Sequence, residues 1–157
     1  MKKQTTHDAQ LSLFTDSDFD LIKQTKRSHS TDSEFAAIHY DLTDLFHRLS
    51  ASDFRSSFHL KAKDRQYIDE KGLEAVRKHA CDFIAKRLAP AVIPNDGKQT
   101  PMRGHPVFLA QHATGCCCRG CFYKWHHIPQ GRALTPLEQH YAVEVLMTWI
   151  TKEYGRK

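Results

Sequence analysis

Four of the five cysteines of the chain lie within six residues, at positions 116–121. Cys118 and Cys121 have the C-x2-C spacing, by which a tight turn or the start of a helix directs two thiolates at one metal ion. His126 follows five residues after Cys121, which is close to half of a zinc knuckle. The fourth ligand of a knuckle would stand at position 131, which is Gly131, so the segment predicts a metal site of another kind.

The remaining ligands have three candidate sources in the sequence. Cys117 adjoins the C-x2-C pair, and His112 and His105 lie on the preceding segment. Zinc accepts a Cys3His or a Cys2His2 set, whereas an iron–sulfur cluster favours four thiolates or leaves one iron open. We therefore expect zinc, with an iron–sulfur cluster as the alternative metal group and packed or redox-active thiols as the alternative to any metal. The candidate ligands are Cys117, Cys118, Cys121, His126, His112 and His105.

A basic segment without carboxylates surrounds this cluster. No Asp or Glu occurs between residues 97 and 137, and residues 35–157 hold 18 Lys and Arg against 12 Asp and Glu. Such a surface would attract phosphates, either of nucleic acid or of a small metabolite, whereas the alternative is an ordinary solvated face. The candidate phosphate-binding residues are Lys98, Arg103, Arg119, Lys124 and Arg132.

The elements that must position these residues are predicted to be helices. Apolar residues recur at helical spacing in several segments, and no segment alternates in the manner of a strand. A capping box at residues 31–34 predicts the start of a helix that reaches about residue 50. Prolines at positions 90, 106 and 136 mark one helix end and two helix starts. The predicted helices cover about residues 35–50, 64–71, 73–89 and 106–115, and a last one begins at about residue 136.

The predicted fold class is all-α: a small helical domain with a long ordered loop and a Cys/His metal-binding segment, preceded by a flexible N-terminal extension. The length of 157 residues favours one domain. Residues 1–33 are polar and rich in Ser, Thr and Asp, which predicts the extension, and residues 34–157 form the predicted helical metal-binding domain. Residues 90–106 contain four prolines and two glycines, which predicts the long loop.

Neither a membrane segment nor a secretion signal is visible in the sequence. No window of about 18 consecutive apolar residues occurs, and the polar residues after Met1 are unlike a signal peptide. We therefore expect no membrane partner and a cytoplasmic location. Cytosolic proteins rarely form structural disulfides, so free thiols or metal ligands are the expected states of the cysteines.

Six segments of the chain carry a resemblance to a known family. The segments are residues 96–101, 105–108, 110–114, 117–121, 124–126 and 131–132. On these motifs the chain resembles a small bacterial family catalogued only as a domain of unknown function, number 4186, over most of residues 52–153. The resemblance implies that Cys116 and His127 are spare residues, since the family pattern lacks cysteine and histidine at these positions. It implies no activity.

Two functions are consistent with these signals. The first is a zinc-stabilised small helical protein that binds nucleic acid or another phosphate-bearing partner, with Phe122, Tyr123 and Trp125 as candidate stacking residues. The alternative is a metal-dependent hydrolase or nuclease that uses the loop at residues 95–112 beside an open metal site. No H-E-x-x-H or P-loop motif occurs, which argues against those zinc proteases and NTPases. Whether the protein is an enzyme is left open, and a redox sensor is a third hypothesis.

Overall fold

Within residues 34–156, which the computed structural model describes, the chain forms seven α-helices and no strand. This confirms the predicted all-α class. No helix in this range is long and apolar enough to cross a membrane. The predicted N-terminal extension at residues 1–33 lies outside the described residues, so its boundary with the domain stays a prediction. The helices are α1 (Thr43–Ser50), α2 (Asp53–Ser56), α3 (Ala62–Lys71), α4 (Leu73–Phe83), α5 (Pro106–Thr114), α6 (Arg119–His126) and α7 (Pro136–Gly155).

The centre of the fold is the contact between α5 and α7. The side chains of Val145, Leu146 and Ile150 on α7 are fully buried. Every residue of α5 is buried as well, and α4 packs against both helices. Full burial of one such aliphatic side chain stabilises a fold by about 1.5–3 kcal/mol, so this contact anchors the shorter helices around it.

The two ends of α5 are fixed by its flanking residues. At its start, His105 Nδ1 accepts a hydrogen bond from Val107 N at 3.0 Å, and Pro106 occupies the first helical position. At its end, Gly115 has φ +75°, a left-handed conformation that glycine adopts at low cost. A Cβ atom at Gly115 would lie 2.6 Å from Trp125 Cδ1, so glycine is what lets α6 approach this turn so closely.

The first helix is shorter than the sequence predicts. It begins at Thr43, and residues 38–42 before it are not helical. Phe35 and Tyr40 instead pack against His140 of α7, with ring centroids 5.7 Å apart in both pairs. The predicted continuous helix to residue 50 is therefore wrong, because contacts with α7 override the local helical pattern.

The end of α4 contains a wider turn than an α-helix has. The helix continues into a π-helical turn at Ile84–Leu88, in which Ala89 N donates to Ile84 O, five residues back, at 2.8 Å. The helical path stops before Pro90, as the sequence predicts. A carbonyl at the end of this helical path accepts a hydrogen bond from a later part of the chain, since Leu134 N donates to Ala89 O at 2.8 Å.

Substitution of Gly115 tests the close approach of α5 and α6. Gly115→Ala should lower the free energy of unfolding by roughly 1–3 kcal/mol, because the added methyl group meets the Trp125 ring at a residue with positive φ. Chemical denaturation of the full chain measures the change. Gly120→Ala is the matched control, since Gly120 lies in α6 with open space where its Cβ would stand. The control should leave stability unchanged or slightly raised, and an equal loss in both variants would contradict the explanation.

Candidate metal centre

Three thiols of the cysteine segment come together at the start of α6. The Sγ atoms of Cys117, Cys118 and Cys121 all lie within 4.8 Å of one another. Cys118 is the N-cap residue of α6, and its Sγ accepts a hydrogen bond from Cys121 N at 3.3 Å. The C-x2-C spacing thus places two thiols at the first turn of a helix, and the residue before this pair adds the third.

These three thiols have the donor chemistry and the spacing that a metal ion requires. With Zn–S bonds of about 2.3 Å, two thiolates of a tetrahedral site lie about 3.8 Å apart. The observed limit of 4.8 Å exceeds this by about one ångström, which small side-chain rotations can close. Cys117 and Cys118 are buried and Cys121 is half-buried, so a bound ion would be largely shielded from water. The chain therefore has a cysteine cluster that could hold a metal ion.

A buried arginine from α2 completes the surroundings of the thiols. The Arg55 guanidinium donates to Cys117 Sγ at 3.5 Å and to Cys121 Sγ at 3.2 Å. It also donates to His112 O at 2.6 Å, which ties the thiols to the end of α5. Arg55 is only 8% exposed, so the polarisable sulfurs and this carbonyl replace water around its charge. Sequence reasoning missed Arg55, because no spacing rule connects it with a cysteine 62 residues away.

The three thiols hold their protons unequally. Hydrogen bonds from Cys117 and Cys118, together with the nearby Arg55 guanidinium, lower the pKa of the Cys121 thiol. The pKa of Cys117 is raised in turn, because its thiol is hydrogen-bonded to Cys118 and Cys121. One thiolate among the three is therefore favoured, and a metal ion that binds all three must displace the other two protons.

His112 lies near Cys121 but outside the group of three thiols. Its Nε2 is 3.1 Å from both Thr100 O and Pro101 O, and its ring stacks on Phe58 with centroids 5.5 Å apart. An Nε2–H that donates to these carbonyls leaves the lone pair on Nδ1, which is a tautomer that can bind a metal ion. Burial lowers the pKa of His112 and so keeps the ring neutral.

His105 lies outside the thiol group, at the start of α5. Besides capping that helix through Nδ1, it places Nε2 3.0 Å from His79 Nδ1. The rings of Tyr67, Phe83 and Phe108 surround it. Burial, with a smaller contribution from His79, lowers the pKa of His105 to about 3. The structure thus does not bring this predicted ligand to the three thiols.

His126 also lies outside the thiol group. Its Nδ1 is 2.8 Å from Tyr141 Oη, and its Nε2 is 2.8 Å from Thr114 O and 3.6 Å from Cys116 Sγ. Cys116 is fully buried, and this burial raises the pKa of its thiol to about 12. Both ring nitrogens of His126 therefore have partners other than the three clustered thiols.

The loop at residues 90–105 folds onto the cysteine segment. Asp96 Oδ1 accepts a hydrogen bond from Arg119 N at 3.0 Å, at the first residue of α6. Thr100 Oγ1 donates to Cys117 O at 2.7 Å. The loop thus holds the backbone on both sides of Cys118 in place.

Arg119, a predicted phosphate-binding residue, is buried in the protein. Its guanidinium donates to Leu88 O and Pro90 O at 3.2 Å each and to Pro129 O at 2.7 Å. These carbonyls include one at the end of the π-helical turn, where a cation is favoured by the helix dipole. The Arg119 side chain therefore joins α4, the long loop and the segment after α6, and it is not presented at the surface.

The other four predicted phosphate-binding residues are exposed. Arg132 forms two hydrogen bonds with the Glu138 carboxylate, at 3.1 Å and 2.9 Å, so its charge is partly compensated. Lys98, Arg103 and Lys124 are the remaining exposed cations of the predicted set. The structure thus presents four of the five predicted cations to solvent.

Comparison with known proteins identifies a family and no activity. The family model described as "Domain of unknown function (DUF4186)" matches residues 43–151. The matched range begins at α1 and ends within α7, and it includes Arg55 and the three clustered thiols. No solved structure matches the chain. Function must therefore be argued from the geometry of the site.

The buried His105 ring makes stability depend on pH. Its pKa is about 3 in the folded chain, against about 6.5 in an unfolded chain, so below about pH 6.5 only the unfolded chain binds the proton. The contribution of His105 to stability is complete above that value and should fall by about 1.4 kcal/mol for each pH unit below it. Urea denaturation at pH 7 and pH 5 measures this dependence.

Two histidine substitutions isolate the contribution of His105. His105→Asn keeps a side chain that can cap α5. Between pH 7 and pH 5 this variant should lose about 2 kcal/mol less of its free energy of unfolding than the unsubstituted protein does. His127→Asn is the control, since His127 is exposed and has φ 60°, which asparagine tolerates. The control should keep the full pH dependence. An undiminished dependence in His105→Asn would show that the His105 ring is not the neutral buried group.

Proposed function

The chain belongs to the DUF4186 family, and we propose that it is a zinc-binding helical protein whose Cys117, Cys118 and Cys121 thiolates hold the ion. The observation that carries the proposal is the convergence of three sulfurs, at positions that a metal-binding spacing predicts. Thiolates are ligands that zinc, copper(I) and iron–sulfur clusters prefer. Among these, the compact spacing of the three sulfurs favours a single ion over a multi-iron cluster.

Charge balance supports a three-thiolate site at this place. Three thiolates and one divalent ion carry a net charge of about −1, which is costly to bury without a counter-charge. The Arg55 guanidinium, within hydrogen-bonding distance of two of the sulfurs, supplies that charge. Since Arg55 also bonds the end of α5, the ion would stabilise the contact among α2, α5 and α6.

The fourth ligand decides between a structural and a catalytic role. We propose His112 for it, because hydrogen bonding of Nε2 to backbone carbonyls leaves Nδ1 able to bind a metal ion. A shift of the thiols toward the ring is required, since His112 lies outside the group of three sulfurs and its Nε2 hydrogen bonds hold the ring in place. A closed Cys3His set would make the zinc structural.

Cysteine substitutions test the metal proposal. Purified protein should contain about one equivalent of zinc, and Cys118→Ser or Cys121→Ser should lose it together with several kcal/mol of stability. Cys81→Ser is the control, since Cys81 lies on α4 and outside the cluster. Elemental analysis and thermal unfolding with and without a chelator provide the measurements. Protein that contains no transition metal and melts identically in chelator would contradict the proposal, and stoichiometric iron with visible absorbance would replace zinc by an iron–sulfur cluster.

We propose that the partner of this zinc-stabilised fold is nucleic acid or another phosphate-bearing molecule. Lys98, Arg103 and Lys124 are exposed, and the exposed Tyr123 ring on α6 could stack on a base. These residues support a salt-dependent interaction, because cations that meet phosphates release the counterions of the nucleic acid.

Single charge removals test the nucleic-acid proposal. Lys98→Ala, Arg103→Ala or Lys124→Ala should each weaken binding, because each removes a cation that can neutralise a phosphate. The slope of log K against log salt should become shallower by about one unit in each variant. Lys63→Ala, an exposed cation on α3, is the control and should leave binding unchanged. Equilibrium titration of single- and double-stranded DNA and RNA at several salt concentrations provides the measurement. No binding at low salt would contradict this part of the proposal.

The second candidate function is a metal-dependent hydrolase or nuclease. It is favoured by the three-sulfur set, which leaves a fourth position for water unless His112 fills it. The loop at residues 90–105 does fold onto the cysteine segment, but Asp96 Oδ1 there accepts hydrogen bonds from Arg119 N and Gln99 Nε2. X-ray absorption of the zinc-loaded protein separates the candidates: three sulfurs and one nitrogen support the structural role, and three sulfurs with water oxygen support catalysis.

A further inference from the structure

A cavity of about 340 Å³ includes Arg55 in its wall and none of the three clustered thiols. It is bounded by residues of α1, α2, α5 and α7, and by the connector after α2. Its apolar wall includes Phe46, Phe58 and Trp149. From this combination of shape and chemistry we infer that the cavity binds a small aromatic anion.

The aromatic wall is held in place before any ligand arrives. Phe58 packs edge to face against Phe54, with centroids 5.2 Å apart, and stacks on His112 on another side. Trp149 of α7 is only 8% exposed and belongs to the hydrophobic core of the protein. Rigid aromatic walls suit a flat ligand, because stacking does not require them to reorganise.

The charged residues around the cavity favour a negative ligand. Three cations, Arg55, Lys152 and Arg156, and one carboxylate, that of Glu153, line the cavity. Arg55 is hydrogen-bonded to the thiols, and Glu153 lies 3.3 Å from Arg156 and 3.2 Å from His59 Nδ1, so Lys152 is the cation that would meet an anion. Lys152 Nζ stands 4.4 Å from the centre of the Phe46 ring, which holds an ammonium group at the cavity beside an aromatic face. An aromatic ring with an attached anion matches both features.

The size of the cavity limits the ligand. Ligand pockets commonly measure about 300–1,000 Å³, and this cavity is near the lower end of that range. It therefore suits one ring system and one anionic group, at most a nucleoside monophosphate. Because none of the three thiols lines the cavity and the anion is assigned to Lys152, this inference does not depend on the metal proposal.

Titration of four probes tests the inference. Adenosine 5′-monophosphate and phenyl phosphate should each bind the full-length protein with a dissociation constant of about 1 mM or tighter. Adenosine, which lacks the anion, and inorganic phosphate, which lacks the ring, should bind at least about tenfold more weakly. The side-chain resonances of Trp149 report binding at the cavity itself. Failure of both aromatic anions to bind, or equal binding of inorganic phosphate, would overturn the inference.

Substitutions at Lys152 locate the bound anion. Lys152→Ala should weaken binding of both aromatic anions at least about fivefold, and Lys152→Arg should restore most of it. Lys152 is exposed on α7, so these variants should remain folded, which their melting curves confirm. Lys124→Ala is the control, because it alters the proposed nucleic-acid surface and not the cavity. Unchanged binding in Lys152→Ala would overturn the inference, and the zinc content of each variant shows separately whether the metal proposal stands.

Discussion

The end of α5 and the turn that joins it to α6 are buried, and their backbone carbonyls must therefore find donors within the protein. An unpaired buried polar group costs about 1–3 kcal/mol, so each carbonyl in the turn constrains the position of another part of the chain. The carbonyls of residues 112, 114, 116 and 117 receive hydrogen bonds from Arg55, His126, Gln111 and Thr100. The fold around the thiols follows from this requirement. Helix α2, the long loop and α6 each supply at least one of the donors.

The same constraint explains why so many polar side chains lie near the cysteines. Arginine, histidine and aspartate are residue types that often act in catalysis or binding. Here the side chains of Arg119, His126 and Asp96 instead form hydrogen bonds with backbone groups of the cysteine segment or of the segments next to it. A segment of about 16 residues without helix or strand is unusual in a compact domain. It is ordered here because its buried Thr100 and its Asp96 side chain are bonded to the cysteine segment. Polar side chains near the cysteines therefore hold the backbone in place, and their residue types alone do not indicate a chemical role.

Local signals in the sequence predicted the parts of the fold that depend on neighbouring residues. The start of α5 at Pro106, the start of α7 at Pro136 and the C-x2-C turn all appear where their spacing indicates, because caps and tight turns involve residues a few positions apart. Arg55 could not be found in this way, since its partners are distant in sequence. Histidine gives an ambiguous signal for the same reason: the sequence does not show whether a ring such as His105 meets a metal or a helix end.

The π-helical turn at Ile84–Leu88 has a consequence for the length of the chain. A residue inserted into a regular α-helix rotates everything that follows by about 100° around the helix axis, whereas a widened turn absorbs one extra residue locally. Leu88 O and Ala89 O therefore keep the directions in which Arg119 and Leu134 donate to them. Deletion of one residue within this turn would restore ordinary α-helical spacing and leave these hydrogen bonds in place. The chain can thus change its length by one residue inside this helix, and not only in the irregular loop that follows it, where most proteins accept insertions and deletions.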